Sequence, residues 1–307
     1  MGRFSTAIDP SWLHHEERPD NAALALQWLG TAGFRVVYRR DALPGGEGSD
    51  GRAAAFVDHH VWLDPHLSRH SLAELAFGPL QPKLDRIAAD VDRADAIVVG
   101  HSHFDHAIDA PAIARQYGAH LYGSSSTIQI GRGYGVAESQ LHVLEPGVTV
   151  QDGPCAITAY RSQHSRFAFG RVPAPGHVTA PLPWPASASA FKVGDVLALH
   201  LGGGPMTIAH LGSADLIEAE LTGVQADVVL ACTVGRYATQ NFTHRVIDAL
   251  RPKLVIPCHW DQFWRPIDAP VRQIPTNDLG AFLDEVRSHS SKPEIRVLPM
   301  RGWLRLA

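Results

Sequence analysis

The chain has 307 residues, 45% of them hydrophobic and 19% charged, with a formal net charge of −4. That composition belongs to a folded globular chain with a sizeable core, not to a disordered one. A mildly acidic balance without any Lys/Arg run argues against nucleic acid as a partner and against a basic membrane-surface patch. The three cysteines, Cys155, Cys232 and Cys258, are odd in number and far apart. They suggest reduced thiols in a cytoplasmic protein rather than a disulfide framework. The N-terminal stretch has no apolar signal-peptide core, and no run approaches the ~18 apolar residues of a membrane span.

Residues 1–23 are polar without a period and read as an arm packed on one domain that takes up the whole of 1–307. From Leu24 the pattern alternates through Leu26 and Trp28, as a half-buried strand does. The turn Gly30-Thr31-Ala32-Gly33 leads into a second strand at Phe34–Tyr38. Ala54–Val57 and Val61–Leu63 read as a third and fourth, and Asp64-Pro65 stops the latter. A helical period runs through Leu84, Ile87, Ala88 and Val91, and Ala96–Val99 is a short apolar strand of the buried kind. Further on, helices are expected near 109–117, from Ser124, over Phe242–Leu250 and near 277–288. Strands are expected at 120–122, 148–150, 156–160, 188–191, 196–200, 206–209, 228–232 and 254–258, with Glu294–Leu298 closing the fold. Two sets of strands, each ending in strand–helix alternation, suggest two stacked sheets with helices outside. The Pro-rich segment Val172–Pro185 is too long for a tight turn and reads equally as a mobile flap or a rigid surface connection.

The strand at Ala96–Val99 delivers the chain into His101-Ser102-His103-Phe104-Asp105-His106. Three imidazoles and a carboxylate in one short segment are the common ligands of zinc and similar cations. His101 and His103, two apart, can reach one metal from an extended segment. Asp105 and His106 can reach a second one close by. The plainer alternative is a polar surface turn in a chain that holds 18 His. A two-metal centre needs more donors, and His164, His210 and His259 each follow or end a predicted strand. Taken singly, any of these is more often a structural or solvated histidine.

The segment HSHFDH resembles the HxHxDH signature of the metallo-β-lactamase-fold hydrolases. The blocks Gln27–Phe34, Trp62–Ser68, Ala94–His101 and Pro257–Phe263 are similar to the branch that holds the ascorbate-6-phosphate lactonases and the N-acyl-phosphatidylethanolamine phospholipases D. The resemblance implies an α+β fold, a four-layer αββα sandwich with a dinuclear site at one edge. By that pattern His101, His103 and His164 hold one divalent cation, and Asp105, His106 and His259 hold the other. Zinc is the first expectation, and manganese or iron also fits such a donor set. A Glu in place of His103 would have suggested a flavodiiron oxidoreductase. The family usually sets a bridging Asp directly after a Gly at a late strand end. Here Gly212 is followed by Ser213, and Asp215 is the nearest carboxylate. Asp215 is therefore expected either to bridge or to lie at the start of a following helix. His210 is left a supporting role.

The function implied is hydrolysis of a small ester, lactone or phosphodiester by a metal-bound hydroxide, since two close divalent cations bring the pKa of a shared water to about 7. Asp105 would orient that nucleophile. Arg236 is a candidate contact for an anionic substrate group, against the plainer reading of a solvated or paired arginine. His177, Tyr237, His244 and Asp261 are able to carry a proton to the leaving group, although a structural role is commoner for each. The competing readings are a non-catalytic or mononuclear metal-binding protein, kept open by Ser213, and a nuclease, disfavoured by charge. The expected partner is a small molecule, with a homo-oligomer left open.

Overall fold

The computed structural model describes residues 6–40, 57–166 and 170–307. The expected strand residues Ala54–Phe56 lie outside that range. The first sheet is built from β1 (Leu24–Trp28), β2 (Phe34–Arg40), β3 (Val57–Leu63), β4 (Ala96–Val98), β5 (His120–Gly123), β6 (Leu141–Val143) and β14 (Trp303–Arg305). The second takes β7 (Thr149–Asp152), β8 (Cys155–Arg161), β9 (Leu197–Gly202), β10 (Ile208–Leu211), β11 (Val228–Cys232), β12 (Leu254–Cys258) and β13 (Glu294–Ile295). Their orders are β14-β1-β2-β3-β4-β5-β6 and β13-β12-β11-β10-β9-β8-β7. In each sheet an antiparallel stretch turns parallel, at β3–β4 in the first and at β10–β11 in the second. The parallel strands β4, β11 and β12 are buried along their whole length, which is why they read as unbroken apolar runs.

One core joins the inner faces of both sheets, with Leu26, Phe34 and Val36 from the first and Ile157, Leu199 and Leu211 from the second. The outer helices bury their apolar stripes on either side. α2 (Leu84–Asp90), α4 (Ala110–Tyr117) and α5 (Ser125–Tyr134) cover the first sheet through Ile87, Ile113 and Ile130. α6 (Phe242–Leu250) and α7 (Leu279–Ser288) cover the second, through Phe242, Val246, Phe282 and Leu283. The result is the four-layer αββα sandwich. The arm lies over α7: Trp12 packs at Gly280, Thr6 O accepts from Gln273 N, and Leu13 bridges to Val297.

Several elements differ from the sequence reading. Val57 and Val61–Leu63 belong to one strand, β3. His59 and His60 interrupt its apolar pattern, but His60 is buried, with its Nδ1 facing the Arg35 guanidinium. Burial and that cation push the His60 pKa down to about 4. Ala188–Ala190 forms a 3-10 turn, not a strand. Elements absent from that reading include β6, β14, the single helical turn at Phe104–Ala107 and the six-residue helix α1 (Leu72–Phe77). Glu294–Leu298 contributes only the short β13. The fold is closed by β14, which crosses back to pair antiparallel with β1. The segment Val172–Pro185 is pinned. Ala174 O and Gly176 O accept from Val193 N and Gly194 N, Val178 N donates to Ser126 Oγ, and Leu182 N donates to Gln129 O. Among the described residues, no helix is long and apolar enough to cross a membrane.

Candidate metal centre

The metal-ligand candidates converge because several strands end at one rim of the sandwich. Beyond β4, Gly100 N donates to Asp64 Oδ1 at 2.7 Å, so the chain turns into the motif against the end of β3. Ser102 fixes the turn from the other sheet's side, with its N donating to Val193 O and its Oγ to Lys192 O. His103 then caps α3 (Phe104–Ala107), the single turn that carries Asp105 and His106. His164 follows β8, and His259 follows β12 with a left-handed φ of 55°. That strained backbone is held by the Gly30–Gly33 turn, since His259 N donates to Thr31 O at 2.7 Å. Thr31 N in turn donates to Asp261 Oδ1, and Trp28 stacks on Trp260 with ring centroids 4.8 Å apart. Two sheets far apart in sequence are thereby locked together under the site.

Two groups of donors result. In each of His101/His103/His164 and Asp105/His106/His259, one ligand atom per residue lies within 4.8 Å of the others. The outer nitrogens fix where the inner ones point. His103 Nε2 faces Pro173 O at 2.9 Å, His164 Nδ1 faces Ser165 O at 2.7 Å, and His106 Nδ1 faces Asp64 Oδ2 at 2.9 Å. A carbonyl or carboxylate oxygen only accepts, so each of these nitrogens carries the proton. The opposite nitrogen is left as a lone pair aimed at the cluster, the arrangement that orients metal-bound histidines. Asp105 Oδ2 lies 3.2 Å from His259 Nε2 and 3.9 Å from His106 Nε2. His101 Nε2 lies 3.2 Å from His103 Nδ1.

Electrostatics agree with that assignment. Burial, helped by neighbouring rings, pushes the His101 pKa well down, and His164 falls to about 4 for the same reasons. His103 is lowered too, again chiefly by burial. These rings are therefore neutral ligands at neutral pH. Burial would raise the Asp105 carboxyl, but His106 and His259 beside it hold it below the usual carboxylate range. Burial also works against a charged His106, yet Asp64 and Asp105 outweigh it and raise its pKa, making its second proton the one a cation would displace. The donors fit two divalent cations side by side.

The sequence reading missed Asp64. It is fully buried, and its carboxylate accepts from Gly100 N, His106 Nδ1 and His210 Nε2, both rings at 2.9 Å. A Cβ on Gly212 would stand 2.6 Å from Asp64 Oδ2, so only glycine lets β10 pass so close. The available signal was an acid set directly after a buried strand, which had been read only as a strand stop. His210 takes the supporting role expected of it, through Asp64 rather than through a metal.

Other expected residues lie elsewhere. Asp215 is outside both donor groups. Its carboxylate accepts from Leu216 N and pairs with Arg245, while Ser213 Oγ accepts from Ser165 N at 3.0 Å. The structure thus does not bring Asp215 in as a bridge. Arg236 is not a substrate contact, because it is buried against α7 with its guanidinium donating to Asn277 Oδ1, Tyr237 Oη and Asp278 O. Asp261 pairs with Arg69 at 2.6 Å, and His244 Nε2 faces Glu285 O, so both serve structure. His177 is exposed and lines a neighbouring cavity, and Tyr237 is tied to Arg236.

Comparison with known proteins agrees with the fold. The chain is 28% identical over 291 residues to a UPF0173 metal-dependent hydrolase of Anaeromyxobacter sp. (strain K), covering 88% of this chain and 82% of that one. It is 26% identical over 252 residues to a UPF0173 metal-dependent hydrolase of Cupriavidus necator, covering 79% and 75%. Its fold is similar to that of Igni18, a metallo hydrolase from Ignicoccus hospitalis, with a TM-score of 0.55, 17% identity and coverage of 92% and 97%. Residues 57–259, most of the sequence and all the donors, match the family described as the beta-lactamase superfamily domain, and the chain belongs to that superfamily.

Proposed function

We propose that this chain is a metal-dependent hydrolase of a small ester, lactone or phosphodiester, working with two divalent cations, zinc first and manganese or iron as alternatives. The observation that carries the reading is that His103, His106 and His164 each have the outer nitrogen engaged by an acceptor, leaving lone pairs that face the other donors of the cluster. His101, His103 and His164 would hold one cation, and Asp105, His106 and His259 the other. Bound there, the cations would supply an activated water near neutral pH and polarise the oxygen of the group under attack. The chain's own part is positional. Asp64 keeps the His106 proton on Nδ1, Pro173 O keeps that of His103 on Nε2, and Asp105 orients the nucleophile from the cavity floor. The blocks Gln27–Phe34 and Pro257–Phe263 support a place near the lactonase and phospholipase D branch. Their contribution here is concrete, since Thr31 and Trp28 buttress His259 and Trp260.

A weaker second cation, giving a mononuclear or non-catalytic protein, is favoured by one observation. Ser213 stands where a bridging carboxylate is usual, and its hydroxyl is engaged by Ser165. The test is a panel of generic ester, lactone and phosphodiester substrates with metal-loaded protein. Turnover of at least one class is expected, falling by at least about a hundredfold in His103→Ala. A panel with no turnover by the loaded protein would move the binding-only reading to the front.

A further inference from the structure

The wall of the cavity above the metal donors is apolar. The cavity holds about 640 Å³, within the ~300–1,000 Å³ of small-molecule sites, and its floor is His103, Asp105, His106, His164 and His259. The walls rise through Leu72, Leu75, Phe104, Phe263, Trp264 and Ile274. Among the described residues, no Lys, Arg or Glu lines it, and Asp105 is its one acid. The remaining polar side chains besides the donors are hydroxyls and the thiol of Cys232. A phosphate or carboxylate on the substrate would find no cationic side chain here. The neighbouring cavity, about 730 Å³, does carry Arg161 and Arg166, but of the six donors it reaches only His164.

A second, independent feature marks the same wall. None of the six residues of α1 is buried, although Leu72, Ala73, Leu75, Ala76 and Phe77 are apolar. Leu72 is 58% exposed and Phe77 92%. The helix is fixed by its capping box, Ser71 with Glu74, and by the half-buried Leu75, which packs against the core. An apolar helix at a cavity mouth that leaves Leu72 and Phe77 exposed offers surface to a ligand that enters there.

Resting on the hydrolase reading, we infer that the substrate is an uncharged ester or lactone bearing an apolar chain of several carbons, which lies between α1 and the Phe263–Trp264 wall. In the reaction the oxygen of water bonds to the acyl carbon as the acyl–alkoxy bond breaks. The alkoxy oxygen leaves as a hydroxyl with one proton, and the acid product gives up the other.

The test is a series of δ-lactones whose alkyl tail grows from methyl to heptyl, with a phosphodiester beside it, run on metal-loaded protein and on Leu72→Asp and Leu75→Asp. Each buried methylene is expected to raise kcat/KM about threefold until the cavity is full. In the variants the heptyl-to-methyl ratio should fall roughly tenfold, as a carboxylate on the wall repels the tail. Leu72 is exposed, so Leu72→Asp should keep its fold, whereas Leu75 is half-buried against the core and its variant counts only if circular dichroism shows it folded. A flat chain-length series, or a phosphodiester preferred over every lactone, overturns the inference and leaves the hydrolase reading intact. If nothing is hydrolysed, the hydrolase reading is what has failed, and calorimetric titration with octanol decides the cavity. Saturable binding that Leu75→Asp removes keeps the apolar pocket, whereas no binding overturns it.

Discussion

Asp64 holds the donor cluster together through hydrogen bonds. Three donors converge on its carboxylate: Gly100 N on Oδ1, and His106 Nδ1 and His210 Nε2 on Oδ2. Burial would raise its pKa, but the two imidazoles hold it below the ordinary carboxylate range. An asparagine there must turn its NH₂ on one of those donors, so it cannot satisfy all three. Asp64→Asn is expected to weaken the second cation about 10- to 100-fold, measured by competition with a chromogenic chelator. An unchanged affinity would mean that the His106 tautomer is set by something else. The six donors themselves were legible because HxHxDH spacing is specific and His164 and His259 follow recognisable strands. Asp64 was not, because a carboxylate beside a proline carries the ordinary meaning of a strand end. Arg236 was misread for a related reason: sequence shows an arginine after a buried strand, but not the Asn277 and Asp278 oxygens that α7 brings to it.

At the scale of elements, the parallel strands were the clearest, since a strand covered on both faces must be apolar throughout. The antiparallel and irregular parts were harder. His59 and His60 broke the pattern of β3, and the partner that makes a buried His60 tolerable, Arg35, comes from β2. Helix α1 escaped because Ser71 and Glu74 specify it while, of its apolar residues, Leu72 and Phe77 are exposed and Leu75 is only half-buried. That origin gives it a distinct response to mutation. Ser71→Ala should cost α1 about 1 kcal/mol locally, raising hydrogen exchange of its amides about fivefold. The global melting temperature should stay where it is, and a drop of several degrees would show that α1 is coupled to the core after all.

Across the whole molecule the two sheets are joined at more than the metal rim. Asp152, on the edge strand of the second sheet, takes His59 Nε2 at 3.0 Å, and Tyr122 Oη and His120 Nδ1 at 2.8 and 2.6 Å, all from the first. Burial opposes its charge, yet those bonds bring its pKa down to about 2. A carboxyl lowered on folding adds stability above its unfolded pKa of about 4, and that share is lost as pH falls through the folded value. Asp152→Asn should therefore flatten the unfolding profile between about pH 4 and pH 2, by roughly 1 kcal/mol, and leave that interval alone only if the cross-sheet contact is idle. The layer order itself was readable from two runs of strands followed by strand–helix alternation. The return of β14 to β1 was not, because a three-residue strand at the end of a chain has no periodicity to show.

The account stands on two cations held by six named residues, and metal content per chain tests that directly. Protein purified without chelator or affinity-metal resin and reloaded with zinc should hold about two equivalents, falling to about one in His259→Ala. Asp215→Ala, whose side chain pairs with Arg245 instead, should keep both. One equivalent or fewer in the reloaded wild-type chain, or a loss in Asp215→Ala equal to that in His259→Ala, would contradict the site as described.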